Sequence, residues 1–235
     1  FVLPQKIDWG DLGVTVKDAE KTYGDAEPQY SLDNLPSGID MSHFDVTFDR
    51  QGGENAGTYP ITATITVKPH YSDVYEVTGN PGPGQLTIKP KLLTAKVDDQ
   101  AVTYDEAAPQ LTYSYEGFVN GDTVKDITPG TISTDYKKGD PVKTGGYPIT
   151  LSAGSAKNYT VPAATGTLTV TPREINWTTL GVKAADKSKT YGQEDPVLTL
   201  ENWPAGLDKD HFNISVTRDP TKDNAGQTPL TATVT

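Results

Sequence analysis

Gly57-Thr58-Tyr59-Pro60-Ile61-Thr62-Ala63-Thr64-Ile65-Thr66-Val67 is a run of period two. Tyr59, Ile61, Ala63, Ile65 and Val67 fall on one side, and Pro60, Thr62, Thr64 and Thr66 on the other. Successive strand side chains point to opposite faces, so the run predicts a half-buried strand with a threonine-rich outer face. Phe44, Val46 and Phe48 alternate likewise, as do Leu111, Tyr113 and Tyr115. Leu86-Thr87-Ile88 and Leu168-Thr169-Val170 read as closing strands, and Gly/Pro clusters such as 79–84 punctuate between runs. Helical patterning is confined to short pieces. Asp40-Met41-Ser42-His43-Phe44 has an aspartate placed to cap a single turn, and 208–212 and 120–127 occupy the corresponding places. The expected fold is mostly β, with one short helix per unit.

The chain repeats itself. Ile7-Asp8-Trp9 returns as Ile175-Asn176-Trp177, Lys21-Thr22-Tyr23-Gly24 as Lys189-Thr190-Tyr191-Gly192, and Asn55-Ala56-Gly57 as Asn224-Ala225-Gly226. A diverged unit lies between the two copies. Self-similarity at long period marks stacked modules. The predicted organisation is the end of a preceding repeat over 1–5, module 1 over 6–91, module 2 over 92–172, and module 3 over 173–235. Module 3 is incomplete, because nothing in it corresponds to His70–Pro90. The junctions Ile88-Lys89-Pro90-Lys91 and Val170-Thr171-Pro172-Arg173 are short, and each carries a proline. Proline fixes φ and restricts its neighbour, which predicts an elongated, stiff rod and a monomer.

Composition narrows the function classes. The net charge is −11 and no basic stripe is present, which argues against nucleic acid as a partner. Acidity also disfavours anionic lipid, and no apolar run is long enough to span a bilayer, so membrane insertion is not expected. With 0 cysteines, disulfides and thiolate metal sites are excluded. Three histidines, His43, His70 and His211, have no partners at ligand spacing, and no cofactor is expected. No nucleophile elbow occurs, and carboxylate pairs among 31 acidic residues arise by chance, so no catalytic residues are assigned and an enzyme is not expected.

The middle unit carries a motif series: Thr103-Tyr104-Asp105 before Pro109, Gly117-Phe118 with Gly121-Asp122, Gly145-Gly146-Tyr147-Pro148-Ile149, Asn158-Tyr159, and Gly166-Thr167-Leu168-Thr169-Val170. The outer units carry Tyr23-Gly24 and Tyr191-Gly192. This order resembles the MBG repeats, of YGX type, of bacterial surface adhesins, which are related to mucus-binding repeats. Departures are Asp105 where glycine is usual, Thr228 where tyrosine is expected, and a Gly-Pro loop replacing Asn-Tyr in the first unit. The resemblance implies tandem β-grasp-like modules on an extracellular, cell-wall-attached protein whose anchor lies outside this segment. Mucin or a host glycoprotein is the implied partner class. Periodicity alone fits an immunoglobulin-like β-sandwich almost as well.

Two tryptophans are the candidate ligand-binding residues. Trp9 and Trp177 follow the linker prolines, where tryptophan either packs a junction or stacks on a sugar, and the position favours packing. Trp203 has Leu35 as its counterpart, which predicts core or semi-buried packing. Tyr23, Tyr104 and Tyr191 share one position, and each is expected to be a core tyrosine whose hydroxyl ties a loop to backbone. The acidic groups Asp98-Asp99 and Asp208-Lys209-Asp210 read as solvated turns.

Overall fold

The computed structural model describes residues 3–219, 221 and 224–235, so Phe1 and Val2 of the expected preceding repeat lie outside the described residues. Module 1 contains β1 (Gln5–Asp8), β2 (Thr15–Val16), β3 (Ala19–Thr22), β4 (Leu32–Asp33), β5 (Phe44–Arg50), β6 (Gly57–Val67), β7 (Tyr75–Gly79) and β8 (Gly84–Lys89). The alternating run 57–67 is β6, the longest strand, and its inward residues Ile61, Ala63 and Ile65 are buried. It pairs antiparallel with β5 on one edge and with β8 along its first half on the other. A four-stranded sheet results, in the order β3-β8-β6-β5, with β3 parallel to β8.

Module 2 repeats this plan. After β9 (Lys91–Leu92), which spans the boundary, it contains β10 (Thr94–Val97), β11 (Gln100–Thr103), β12 (Tyr113–Glu116), β13 (Ile132–Thr134), β14 (Tyr147–Leu151), β15 (Tyr159–Thr160) and β16 (Ala164–Thr171). Its sheet runs β11-β16-β14-β13, again with the first and last strands parallel. The β10–β12 ladder lies over it: Val97, Tyr113 and Tyr115 pack against Ile149, Leu151, Leu168 and Val170.

Residues 173–235 form a separate compact unit from Phe1–Pro172. In this unit β17 (Lys183–Ala184) pairs with β18 (Leu200–Glu201), and β19 (Ile214–Arg218) pairs with β20 (Leu230–Val234). The counterpart of β3, residues 187–190, is not a strand. In module 1 that strand is held by β8, and residues 173–235 include no sequence matching β8.

The chain is mostly β, and the expected short helices are smaller than a helix. Each is one 3-10 turn of three residues: Met41–His43, Val124–Asp126 and Lys209–His211. Asp40 and Asp208 cap theirs by accepting the Ser42 and Asp210 amides. Thr123 and Asp126 cap the middle one reciprocally. One turn is too short to bury an amphipathic face, so these segments work as corners. Among the described residues no helix is long and apolar enough to cross a membrane.

Not every core follows the module boundaries. One cluster lies inside module 1, around Ile7, Trp9, Val14, Phe44 and Ile65. Another lies inside module 2, around Ile149, Leu151 and Leu168. The third straddles the junction: Val16, Tyr23, Ile61, Leu86 and Ile88 from module 1 pack with Leu93, Ile127, Tyr159 and Val161 from module 2. The linker is itself a strand, since Lys91–Leu92 pairs in parallel with Tyr159–Thr160 directly after Pro90. Relative motion of the two modules would open a buried apolar core, so they behave as one body.

Candidate functional site

Trp9 is 0% exposed. Its ring meets Phe44 edge-on at 5.2 Å, inside the core of its own module. The expected sugar-stacking role is therefore corrected: a fully enclosed indole cannot stack on a sugar, and the ring packs in the core of its own module. The cause lies in β1 and β7, whose parallel pairing folds Ile7-Asp8-Trp9 inward and brings Tyr75 and Val77 over the cluster. Trp177 keeps the same edge-on partner, Phe212 at 5.1 Å, and stacks on Trp203 at 5.1 Å, so Trp203 is semi-buried as its Leu35 counterpart predicted. Trp177 itself remains half-buried. Counterparts of Tyr75 and Val77 do not occur in residues 173–235.

The repeated tyrosines diverge. Tyr23 is 7% exposed, Tyr104 36% and Tyr191 73%. Tyr23 is a core residue as expected, but its hydroxyl does not tie a loop to backbone. It donates to the Asp122 carboxylate of module 2 at 2.8 Å. Tyr159 donates to the same Asp122 oxygen, also at 2.8 Å, and its ring meets Tyr23 edge-on at 5.4 Å. Burial, with the Asp122 carboxylate beside it, pushes the Tyr159 hydroxyl up to about 12.

The rest of the junction is built around this bond. Gly24 follows Tyr23 with φ +86°, a left-handed conformation that favours glycine. A Cβ on Gly24 would lie 2.4 Å from a methyl of Val119, so the missing side chain is the space that Val119 fills. On the opposite rim the Ala56 amide donates to the Asn158 side-chain oxygen at 2.9 Å, and the Asn158 amide donates to the Asn55 side-chain oxygen at 2.8 Å. The Tyr-Gly and Asn-Ala-Gly elements of module 1 thus form a socket. Val119, Asp122, Asn158 and Tyr159 of module 2 form the matching plug.

Beside the socket lies a cluster of charges that the sequence reading missed. The Lys21 side chain is 5% exposed and reaches Glu54 at 2.7 Å and Glu27 at 2.9 Å. Arg50 also holds Glu27, at 2.7 Å, and meets Glu54. Burial opposes the Lys21 charge, but its hydrogen bonds to Glu54 and Glu27 outweigh this and raise its pKa. Burial likewise pushes Glu27 up, whereas hydrogen bonds from Tyr30, Arg50 and Lys21 bring it down to about 2. Module 3 repeats the arrangement with Lys189, Asp195 and Arg218, at 2.8 and 2.6 Å. Module 2 has the buried Val102 where module 1 has Lys21. A usable signal was present in the sequence, since Lys21, Glu27 and Arg50 recur at one spacing as Lys189, Asp195 and Arg218. A lysine whose partners are all engaged carboxylates is a structural group, with neither a nucleophile's lowered pKa nor an open approach.

The remaining candidates resolve into local structure. His43 stacks on Tyr71 with ring centroids 3.8 Å apart. Asp98 accepts the Thr112 hydroxyl, and Asp99 accepts the Thr167 amide. Among the described residues no group of three or more His, Asp and Glu side chains is arranged to hold a metal ion. Two surface hollows beside Thr78 in module 1 are shallow and open.

No curated protein matches the chain. The MBG domain of YGX type is matched twice, over residues 12–87 and 93–169, which together make up more than half of the chain. Tyr23-Gly24 falls within the first match, and its plug, Val119 to Tyr159, within the second. The chain belongs to the MBG domain family of YGX type.

Proposed function

We propose that the chain is a tandem-repeat segment of a bacterial surface adhesin, extracellular and attached to the cell wall, in which it serves as a stalk. The single observation that carries this is the apolar core shared by modules 1 and 2, because a stalk transmits position only if its modules do not pivot on one another. Burial of Trp9 and Tyr23 supports the same conclusion, because neither ring is open to stack on a glycan. An elongated monomer is the expected form in solution.

Weak multivalent contact with mucin or a host glycoprotein is a second activity, favoured by one feature. Trp177 and Trp203 form a stacked, half-buried pair flanked by Lys209 over the Trp203 ring. Repeated weak contacts gain avidity where geometry allows simultaneous engagement. For the module itself we infer the small β-sandwich rather than the β-grasp. In module 2, a β-ladder lies opposite the four-stranded sheet, where a grasp would lay an α-helix.

The test is binding of the chain to immobilised mucin and a glycan panel at high surface density, with a non-adhesive protein of similar charge as control. A pure stalk shows no saturable binding. Saturable binding that Trp177→Ala abolishes would instead make the third module adhesive.

A further inference from the structure

Two segments of module 1 hold module 2. Tyr23 and Gly24, directly after β3, meet Asp122 and Val119. Asn55 and Ala56, in the loop between β5 and β6, meet Asn158. These two lips flank β8, because Ile88 pairs with Lys21 of β3 on one side and with Gly57, the residue after Ala56, on the other. The charge cluster joins one lip to the other. Lys21 reaches from β3 to Glu54 in the loop at 2.7 Å and to Glu27 at 2.9 Å. Arg50, at the end of β5, holds Glu27 at 2.7 Å and meets Glu54, and it donates to the Gly53 and Gln51 carbonyls at 2.6 and 3.0 Å. Glu27 continues the chain of the first lip, and Glu54 lies in the second.

Each carboxylate is shared by both cations. The Lys21 and Arg50 side chains are 5% and 12% exposed, so water can replace few of their partners. With Glu27 and Glu54 charged, two cations balance two anions. With both neutral, two nearly enclosed cations crowd around the same two side chains, and an enclosed charge that loses its partner strongly opposes the closed arrangement. The other groups facing the cluster do not replace the lost charge. Tyr30 donates to Glu27, and the Tyr59 ring lies 5.6 Å from the Arg50 guanidinium with its hydroxyl on the Asn55 carbonyl. Across the junction, the charged group facing the lips is Asp122, on the Tyr23 hydroxyl. The strand itself does not require the cation, since module 2 has the buried Val102 at the place of Lys21.

We propose that Lys21, Arg50, Glu27 and Glu54 form an acid-released clamp, which closes the two lips of module 1 on module 2 while Glu27 and Glu54 are charged and frees the lip of Asn55 and Ala56 when both are protonated. Release opens the rim of the junction before either core unfolds, because β3, β8 and β6 are held together by backbone ladders, which do not titrate. Burial pushes Glu27 up, but hydrogen bonds from Tyr30, Arg50 and Lys21 bring it down to about 2, and hydrogen bonds from Lys21 and Arg50 lower Glu54. Lowered carboxylates set the direction: the clamp is complete above the ordinary value of 4.5 and is lost as the pH falls towards about 2. The module pair is therefore stiff in neutral and mildly acid solution and loosens at its rim in strong acid, whatever the array binds at its surface.

The test is hydrogen exchange on the full chain at neutral pH. It compares the Ala56 amide, which donates across the junction to Asn158, with the Leu86 amide inside β8. Glu27→Gln with Glu54→Gln reproduces the released state and leaves Asp122 untouched. The Ala56 amide is expected to exchange roughly tenfold faster or more in this variant, with Leu86 unchanged. Adding Lys21→Val, the residue that module 2 carries there, removes one of the two crowded cations and should recover most of the protection, which a mere loss of contacts would not allow. In the wild type, the ratio of the Ala56 rate to the Leu86 rate should rise as the pH falls from about 4.5 to about 2, a ratio that cancels the effect of pH on the exchange chemistry itself. Unchanged exchange at Ala56 in the double variant, no recovery on adding Lys21→Val, or equal acceleration at Leu86 would overturn the proposal.

Discussion

The Tyr23 hydroxyl of module 1 and the Asp122 carboxylate of module 2 meet at 2.8 Å, across 99 residues of sequence. The Tyr159 hydroxyl reaches the same oxygen, so one carboxylate organises both sides of the junction. Hydrogen bonds to charged groups contribute about 1.5–3 kcal/mol, and Asp122 is only partly enclosed, which places Tyr23→Phe at the low end, at about 1.5 kcal/mol of lost stability. Urea denaturation of the full chain measures it. Asp122→Ala should cost more, because it removes the acceptor of the buried Tyr23 hydroxyl and leaves the Tyr159 hydroxyl only the Val119 carbonyl at 3.3 Å.

Gly24→Val tests the hollow. Its Cβ would lie 2.4 Å from a Val119 methyl on a left-handed backbone, so both overpacking and φ oppose it. Overpacking alone costs typically about 1–3 kcal/mol. The expected loss is at the upper end of that range, and thermal unfolding should split into separate transitions for modules 1 and 2. A Val119→Ala partner change should recover part of the loss.

Trp9→Ala should destabilise module 1 by about 3–5 kcal/mol, the usual cost of emptying a buried tryptophan site. Calorimetry should show the loss, with no change in any surface binding that the chain has. Trp177→Ala should cost less, since that ring is half-buried.

Acid titration should expose the charge cluster. The Glu27 pKa is about 2 in the folded protein against an ordinary 4.5, so its contribution is complete above about pH 4.5 and is lost as the pH falls towards about 2. Glu27 is partly exposed, and solvent screening keeps the effect modest. Stability of wild type relative to Glu27→Gln, followed by urea midpoints, should narrow across that window.

The alkaline side runs in the opposite direction. Tyr159 titrates near 12 in the folded chain against an ordinary 10.0. A raised pKa adds stability that is fully present below about pH 10 and is lost as the pH rises through about 12. Tyr159→Phe should remove this component while keeping the ring contact with Tyr23, which ultraviolet titration alongside unfolding midpoints can resolve.

Much of the fold was legible in the sequence. The alternation from Gly57 to Val67 determines which residues of β6 are buried, because a strand has only two faces. The two Asp-capped turns were legible because an N-cap is a local bond. The enclosure of Trp9 was not legible, because it depends on β7, a strand distant in sequence, and a place after a proline says nothing of that partner. The socket was half legible. Tyr-Gly stood out by recurrence, but the reason for a glycine there is Val119 of the next module, a contact that no local pattern encodes.

Modules 1 and 2 form one body through a shared core. Pulsed hydrogen exchange across a urea series, read peptide by peptide on the full chain, tests it most directly. Peptides within 12–87 and within 93–169 should lose protection at the same urea concentration, and Gly24→Val should separate them. Two distinct midpoints in the wild-type chain, unchanged by Gly24→Val, would contradict it.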